Sequence, residues 1–430
     1  MKPKANRKFK ASLLSLLTAF GVTQSSHGDD HHYRNVLVGE RGASMGGAYL
    51  AISDDPTGIF YNPAGIVFGY ENYMSASAST YTSSKLIYKK VLANGDYTYN
   101  SECFSPSFIG FSQNLGKNKI ALAIFIPNYE LLDQDDLIRG ISTVDEKANQ
   151  LQRRFYKQDI TYMAGPAYSM ALGEKASFGI SLLGFAKLNT LISTQLVMNN
   201  PLPNGKYFIE EGYLNETYLG LTPKIGFQAM LSPSLAVGLT AKKNFSLSGK
   251  STRRILRNQL NATTGVPETK TGGFNDDFIS ETKDYNIGVV SPFEFGFGAA
   301  YFFNRNLLVS GDLIYDTTDP NFTQFKVMPT LNWSAGAEWY VSDGLALRGG
   351  LYSNLANTPT INPTLKNQEP HVDLYGASLG ISLLKTGSSV TLGTNYSTGS
   401  GKGQAFNDSL LVQEVIQSQL SFFLSGSYQI

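Results

Sequence analysis

The chain has 430 residues with 35 basic and 34 acidic side chains, a net charge of +1, so charge favours no acidic or basic partner, and no basic patch interleaved with aromatics points to nucleic acid. One cysteine, Cys103, excludes a disulfide framework. Forty-two glycines, 24 tyrosines and 26 phenylalanines beside only 2 tryptophans are unusual for a soluble enzyme and fit a large exported β-protein.

Residues 1–28 read as a signal peptide. Lys2, Lys4, Arg7, Lys8 and Lys10 form a basic start, Ala11 to Val22 an apolar core, and Ser26 and Gly28 flank a cleavage site near Asp29. The core is shorter than the ~20 residues of a membrane-spanning helix. The tract Asp29-Asp30-His31-His32 reads as a solvated terminus rather than a metal site, and neither a metal nor a cofactor is expected.

From Gly42 to Gly65 the chain is rich in small residues, Gly42, Ala43, Ser44, Gly46, Gly47, Ala48 and Ala51, suited to a confined space. Asp55-Pro56 and Asn62-Pro63 each place a capping oxygen before a proline that suits the first helical position, which predicts two short helical turns in series.

Beyond Tyr70 one pattern repeats: long segments alternate apolar and polar residues, as strands do. Tight turns occur at 116–118, 173–175, 232–234, 304–305, 342–343 and 386–388. Longer connections lie near 92–96, 129–155, 193–215, 250–280, 319–323, 358–367 and 400–411. Six tight turns interleaved with seven longer connections give fourteen strands with both termini on the tight-turn side, the signature of an outer-membrane barrel. A soluble β-sandwich also alternates but does not explain the turn asymmetry. The fold class is therefore all-β: a 14-stranded antiparallel transmembrane β-barrel over 70–430, with a small, partly helical N-terminal hatch over 29–69 plugging its lumen.

Parity assigns the faces. A charge on the lipid face is costly, so Lys187, Lys224, Glu294, Asp312, Glu338 and Arg348 point into the lumen. In the connections, Thr143-Val-Asp-Glu146 reads as a capping box, and Val144, Ala148, Leu151 and Phe155 follow at helical spacing. A short amphipathic helix over the barrel mouth is expected there. No catalytic constellation is found: His371 is the only histidine beyond the N-terminal cluster, and Gly399-Ser-Gly-Lys-Gly403 lacks the spacing of a phosphate loop. An enzyme is not expected.

The run Met45-Gly-Gly-Ala-Tyr, Asp54-Asp55-Pro56 and Phe60-Tyr61-Asn62-Pro63-Ala64-Gly65 resembles the hatch of the FadL/TodX family, outer-membrane transporters of long-chain fatty acids and other hydrophobic compounds. Pro292 to Asp312 and Trp333 to Tyr352 are similar to that family's hairpins, and Phe125-Ile126-Pro127 to its proline-containing third strand; the terminal Ser427-Tyr-Gln-Ile430 departs from the usual final aromatic. The resemblance implies a monomeric passive channel in the outer membrane of a Gram-negative-type bacterium, carrying a fatty acid or hydrocarbon and touching outer-membrane lipid. It implies a hatch gated at Gly46, Gly47, Asp54, Asp55, Asn62, Pro63 and Ala64. It also implies a landing groove in the third and fourth outer loops, placed at Leu196, Val197 and Met198 and at Ile255, Leu256 and Leu260. Pro127 is read as ending strand three, while Pro166 and Pro223 interrupt strands four and six, and a side exit is expected beside strand three near the base of the hatch, at Pro127 or nearer Lys119–Ala123. The other function class is a barrel kept for its surface, as adhesin or envelope-assembly scaffold.

Overall fold

A computed structural model describes residues 31–92, 95–139, 148–199, 206–261, 277–285, 290–318, 327–366, 368–405 and 410–430. The expected signal peptide, with Asp29 and Asp30, lies outside them.

The strands are β1 (Tyr73–Leu92), β2 (Gly95–Leu115), β3 (Asn118–Arg139), β4 (Ala148–Ala171), β5 (Ala176–Asn199), β6 (Lys206–Ser232), β7 (Leu235–Asn261), β8 (Asp277–Tyr285), β9 (Val290–Phe302), β10 (Leu307–Asp316), β11 (Thr330–Ser342), β12 (Leu345–Asn354), β13 (His371–Val372), β14 (Leu374–Lys385), β15 (Ser388–Gly403) and β16 (Gln413–Gln429). They occupy fourteen lines of one antiparallel wall: β8 pairs with the upper part of β7 where β9 pairs with its lower part, and β13 pairs with β15 above β14. Pairing of β1 with β16, from Tyr73–Gln429 to Tyr88–Val415, closes the barrel.

All six tight turns fall where the sequence places them. Gly116, Gly173 and Gly387 adopt left-handed φ of 65°, 79° and 74° there, with open space around the first two. The faces alternate as expected: Val309, Leu313, Tyr315, Trp333 and Trp339 are exposed on the wall's outside, while Ser310, Asp312, Asn332, Ser334 and Glu338 are buried within. This outward apolar band on a closed wall is what a bilayer requires of strands. The protein is a multi-pass outer-membrane barrel of a Gram-negative-type bacterium.

The connections are not what the sequence suggests. β3 to β7 run for 22, 24, 24, 27 and 27 residues against 10 for β10 and β12, so much of each long "loop" is strand, rising as a flange on one side. The expected helix over 143–155 is wrong for Ala148 to Phe155, which lie in β4 and pair with β5 from Ala148–Asn199 to Phe155–Ser193; Val144 lies outside the described residues. Residues 151, 153 and 155 fit a period of two as well as 148, 151 and 155 fit 3.6, and cross-strand pairing decides between them.

Candidate functional site: the plugged lumen and the β2–β3 seam

The hatch fills the lower lumen. It contains a short helix, α1 (Glu40–Ser44), and two 3₁₀ turns, Pro56–Ile59 and Gly65–Phe68. The first 3₁₀ turn begins as the sequence expects. Asp55 caps it by accepting from the Thr57 amide at 2.7 Å, with Pro56 at the first position. The second does not start at Asn62-Pro63. Asn62 instead accepts from the Ala64 amide at 3.1 Å, and its Nδ2 donates to the carbonyls of Leu50 (2.8 Å) and, on the wall, Phe227 (3.1 Å). The turn follows from Gly65.

Close approach of hatch and wall depends on wall glycines more than on hatch glycines. A Cβ at Gly179 would overlap the Pro63 carbonyl carbon, at Gly226 the Asn62 side chain, at Gly238 the Leu50 carbonyl, and at Gly350 the Met45 carbonyl. Gly46 does face the wall at Gly350 and Leu351, but Gly47 faces Leu37 of the hatch itself. Its φ of 82°, rather than pressure from the wall, accounts for a glycine there.

Polar wall side chains hold the hatch backbone. The amides of Tyr49 and Leu50 donate to Asp312 Oδ2 at 2.7 and 2.9 Å. Ser169 and Ser177 donate to the Ala64 carbonyl at 2.8 and 2.7 Å, and Ser378 to that of Ser44 at 2.8 Å. Lys224 donates to the Phe60 carbonyl at 2.7 Å and pairs with Glu294 at 3.4 Å, which Lys242 also meets at 2.5 Å. Arg41 of α1 bridges Glu338 (2.7 Å) and Asp54, while Glu338 also binds Arg348 at 2.6 Å. Tyr49 donates its hydroxyl to Asp55 at 2.9 Å; burial, then neighbouring Asp54, pushes the Asp55 carboxyl above its ordinary pKa. Lys187 stands apart on β5, 3.6 Å from Asp159.

The N-terminal strap corrects one expectation. Residues 31–35 lie at the outer end of the lumen, not the periplasmic one. The amide of Asn357, on the outer connection after β12, donates to the His31 carbonyl at 2.8 Å; a His32 ring nitrogen meets the Val372 carbonyl at 2.8 Å, and His31 pairs with Glu369 at 3.3 Å. Asn35 joins opposite walls, donating to Asn128 and accepting from Asn354, both at 3.4 Å. The chain then descends to Glu40, which accepts from Ser389 beside the lower turn. The C-terminal Ile430 alone keeps the expected side, its amide donating to Asn72 at 2.9 Å.

Of the expected landing groove, the named residues lie on the strand extensions of β5 and β7, not in loops. Alternation separates them: Ile255 is buried on the inner face while its neighbour Leu256 is exposed outside, and Leu196 is half-buried. Val197, Met198 and Leu260 are placed by backbone register only, Met198 and Leu260 both opposite Tyr207. They do not form one apolar surface. The inner face above the seam carries instead Tyr88, Tyr97, Tyr99 and Phe155, with ring centroids 4.9–6.1 Å apart, and the Arg153 guanidinium 5.1 Å from Phe155.

The wall itself is interrupted between β2 and β3. Their ladder runs from Leu115–Asn118 up to Phe108–Phe125 and, among the described residues, does not resume. Both strands bulge at that height: register shifts occur between β1 and β2 at Ser77/Ala78 and between β3 and β4 at Phe125/Asn128. The inward face accordingly passes from Phe125 to Asn128 on β3. Above, side chains replace the ladder: Ser101 donates to the Leu131 carbonyl, Gln134 to the Thr98 carbonyl at 2.9 Å, and Tyr97 to Asp136 at 2.8 Å. Between lies a stretch without backbone ladder, here called the window, where 104–107 face 126–128. Inside it, Phe125 stacks on Phe108 at 5.6 Å and meets the hatch's Phe60 at 5.8 Å. The alternative placement at Lys119–Ala123 is wrong, since each of those residues pairs on both sides. At Pro166 and Pro223 the ladders skip two positions and then resume in register.

No family model and no curated protein matches the sequence. Solved structures do. A CymD monoaromatic hydrocarbon channel is 15% identical, covering 93% of this chain and 99% of its own, at a TM-score of 0.59. A Pseudomonas aeruginosa FadL homologue is 12% identical over 92% and 99%, at 0.61. The fold is that of the FadL/TodX channels. The Pseudomonas putida toluene transporter TodX is similar at 14% identity over 91% and 98%, TM-score 0.59. The FadL/TodX fold thus spans nearly the whole chain, and its neighbours are channels rather than enzymes. Among the described residues no cluster of three metal-ligating side chains occurs, and His371 is engaged with the Thr358 carbonyl at 2.7 Å.

Proposed function

We propose that the protein is a passive channel that takes hydrophobic small molecules, monoaromatic hydrocarbons or fatty acids, across the outer leaflet and releases them sideways into the bilayer. The observation that carries this reading is the β2–β3 window, lined by Phe60, Phe108 and Phe125 at the height of the outward apolar band. An apolar cargo leaving there keeps its ~0.8 kcal/mol per methylene, which release into periplasmic water would forfeit. Entry is past the aromatic cluster at Tyr88, Tyr97 and Tyr99. The hatch is the gate, because Phe60 belongs to it and abuts the window. The fold neighbours, a toluene transporter among them, support the cargo class.

The scaffold reading draws on a different observation, the flange of β3–β7 raised on one side of the mouth. Uptake separates the two. Cells carrying the protein are expected to accumulate radiolabelled toluene or a fluorescent fatty acid faster than cells lacking it, in proportion to its amount. Equal rates for both cargo types would leave the scaffold.

A further inference from the structure

The outside of β7 carries three cations spaced along the strand, Lys243 at the outer edge of the apolar band and Lys250 and Arg254 farther up. Below a bulge at Leu247 the odd-numbered residues face out: Leu239, Phe245 and Leu247 are exposed, while Lys242 turns inward to Glu294. Lys243 shares that outward face, and its Nζ lies 4.3 Å from the Phe293 ring centroid and 5.6 Å from that of Phe245. Its level is the outer end of β9 and β10, closed by the Thr317 amide donating to the Phe293 carbonyl at 2.9 Å. Above the bulge the parity reverses. Ser251 and Ile255 are buried, and Lys250 and Arg254 stand exposed outside, Arg254 with its guanidinium 5.9 Å from the Tyr213 ring.

Among the described residues none of these three cations has a carboxylate within 4.0 Å. Three inward cations of the same wall are paired with carboxylates: Lys224 and Lys242 with Glu294, Arg348 with Glu338. A lysine on the lipid face is tolerated near the interface because its ammonium reaches the headgroups. Phosphate is the anion the outer leaflet offers there, and a cation held over aromatic rings with apolar side chains beneath fits a phosphorylated glycolipid, acyl chains below and phosphate above.

We propose that Lys243, Lys250 and Arg254 form a docking surface for the phosphate groups of the outer-leaflet glycolipid.

The test titrates the detergent-solubilised full chain with diphosphoryl lipid A and reads bound lipid by native mass spectrometry. The triple variant Lys243→Ala, Lys250→Ala, Arg254→Ala is expected to need at least about tenfold more lipid for half-saturation, the loss of at least one charged hydrogen bond. Lys117→Ala, on a periplasmic turn, is expected to behave as the parent. Fully dephosphorylated lipid A is expected to bind the parent at least about tenfold more weakly. Heat-modifiable migration of each variant on gels checks that the barrel is closed. A smaller shift in the closed triple variant, or equal binding of the dephosphorylated lipid, overturns the proposal.

Discussion

Pro106 and Pro127 lie across from each other on β2 and β3, each two residues above the last paired residues, Phe108 and Phe125. Proline has no N–H to give a ladder. One proline alone does not open this wall, since at Pro166 and Pro223 the pairing resumes within two positions. The seam differs in having prolines on both strands and a bulge on each, so that neither strand can restore the register of the other. Pro127 was legible in the sequence. Pro106 was not, because its position opposite Pro127 is a property of register.

The fit of the hatch against wall glycines can be tested at Gly179, where an added side chain would displace Pro63. Gly179→Val is expected to cost ~1–3 kcal/mol by overpacking, relieved by the hatch moving away. Single-channel conductance in planar bilayers is expected to rise several-fold over the parent. Unchanged conductance would mean that this contact does not hold the plug.

Arg41 joins the hatch to the wall at Glu338, which is fully buried. Arg41→Ala leaves that carboxylate with Arg348 alone. Removing one partner of a buried pair costs about 3–5 kcal/mol, and Arg348 keeps the loss near the lower end. Limited proteolysis in detergent should then cut within residues 37–69 while the strands stay intact. Equal resistance in parent and variant would contradict this anchoring role.

The outer position of the strap makes a topological prediction. With Cys103→Ser as background, Tyr33→Cys is expected to react with a membrane-impermeant maleimide added to intact cells, and a cysteine at Gln429 is not. Reaction at the C-terminal position only would place the strap on the periplasmic side.

What the sequence disclosed follows physical lines. Within the bilayer, alternation is enforced by lipid on one face and the plugged lumen on the other, so Leu313 against Asp312 or Trp333 against Ser334 reads plainly. Above the bilayer that contrast fades. Asp133, Asp135 and Arg154 are exposed on strand extensions that face water, and such segments look like loops or, at Leu151 and Phe155, like a helix. The hatch announced itself through small residues and Asx-Pro pairs, yet the glycines that admit it, Gly179, Gly226 and Gly350, are scattered over three strands. The rise of the strap to the outer mouth rests on pairings such as His31–Glu369, more than three hundred residues apart, which no local pattern encodes.

Cargo that leaves through the β2–β3 window is stopped by stapling the window shut. Cysteines replacing Pro106 and Pro127 in the Cys103→Ser background can be joined by oxidation in intact cells. Uptake of radiolabelled toluene and of a fluorescent fatty acid is predicted to fall to the level of cells lacking the protein when the staple is closed, and to return on reduction. Uptake continuing at the reduced-state rate with the staple fully formed would mean that cargo leaves by another route.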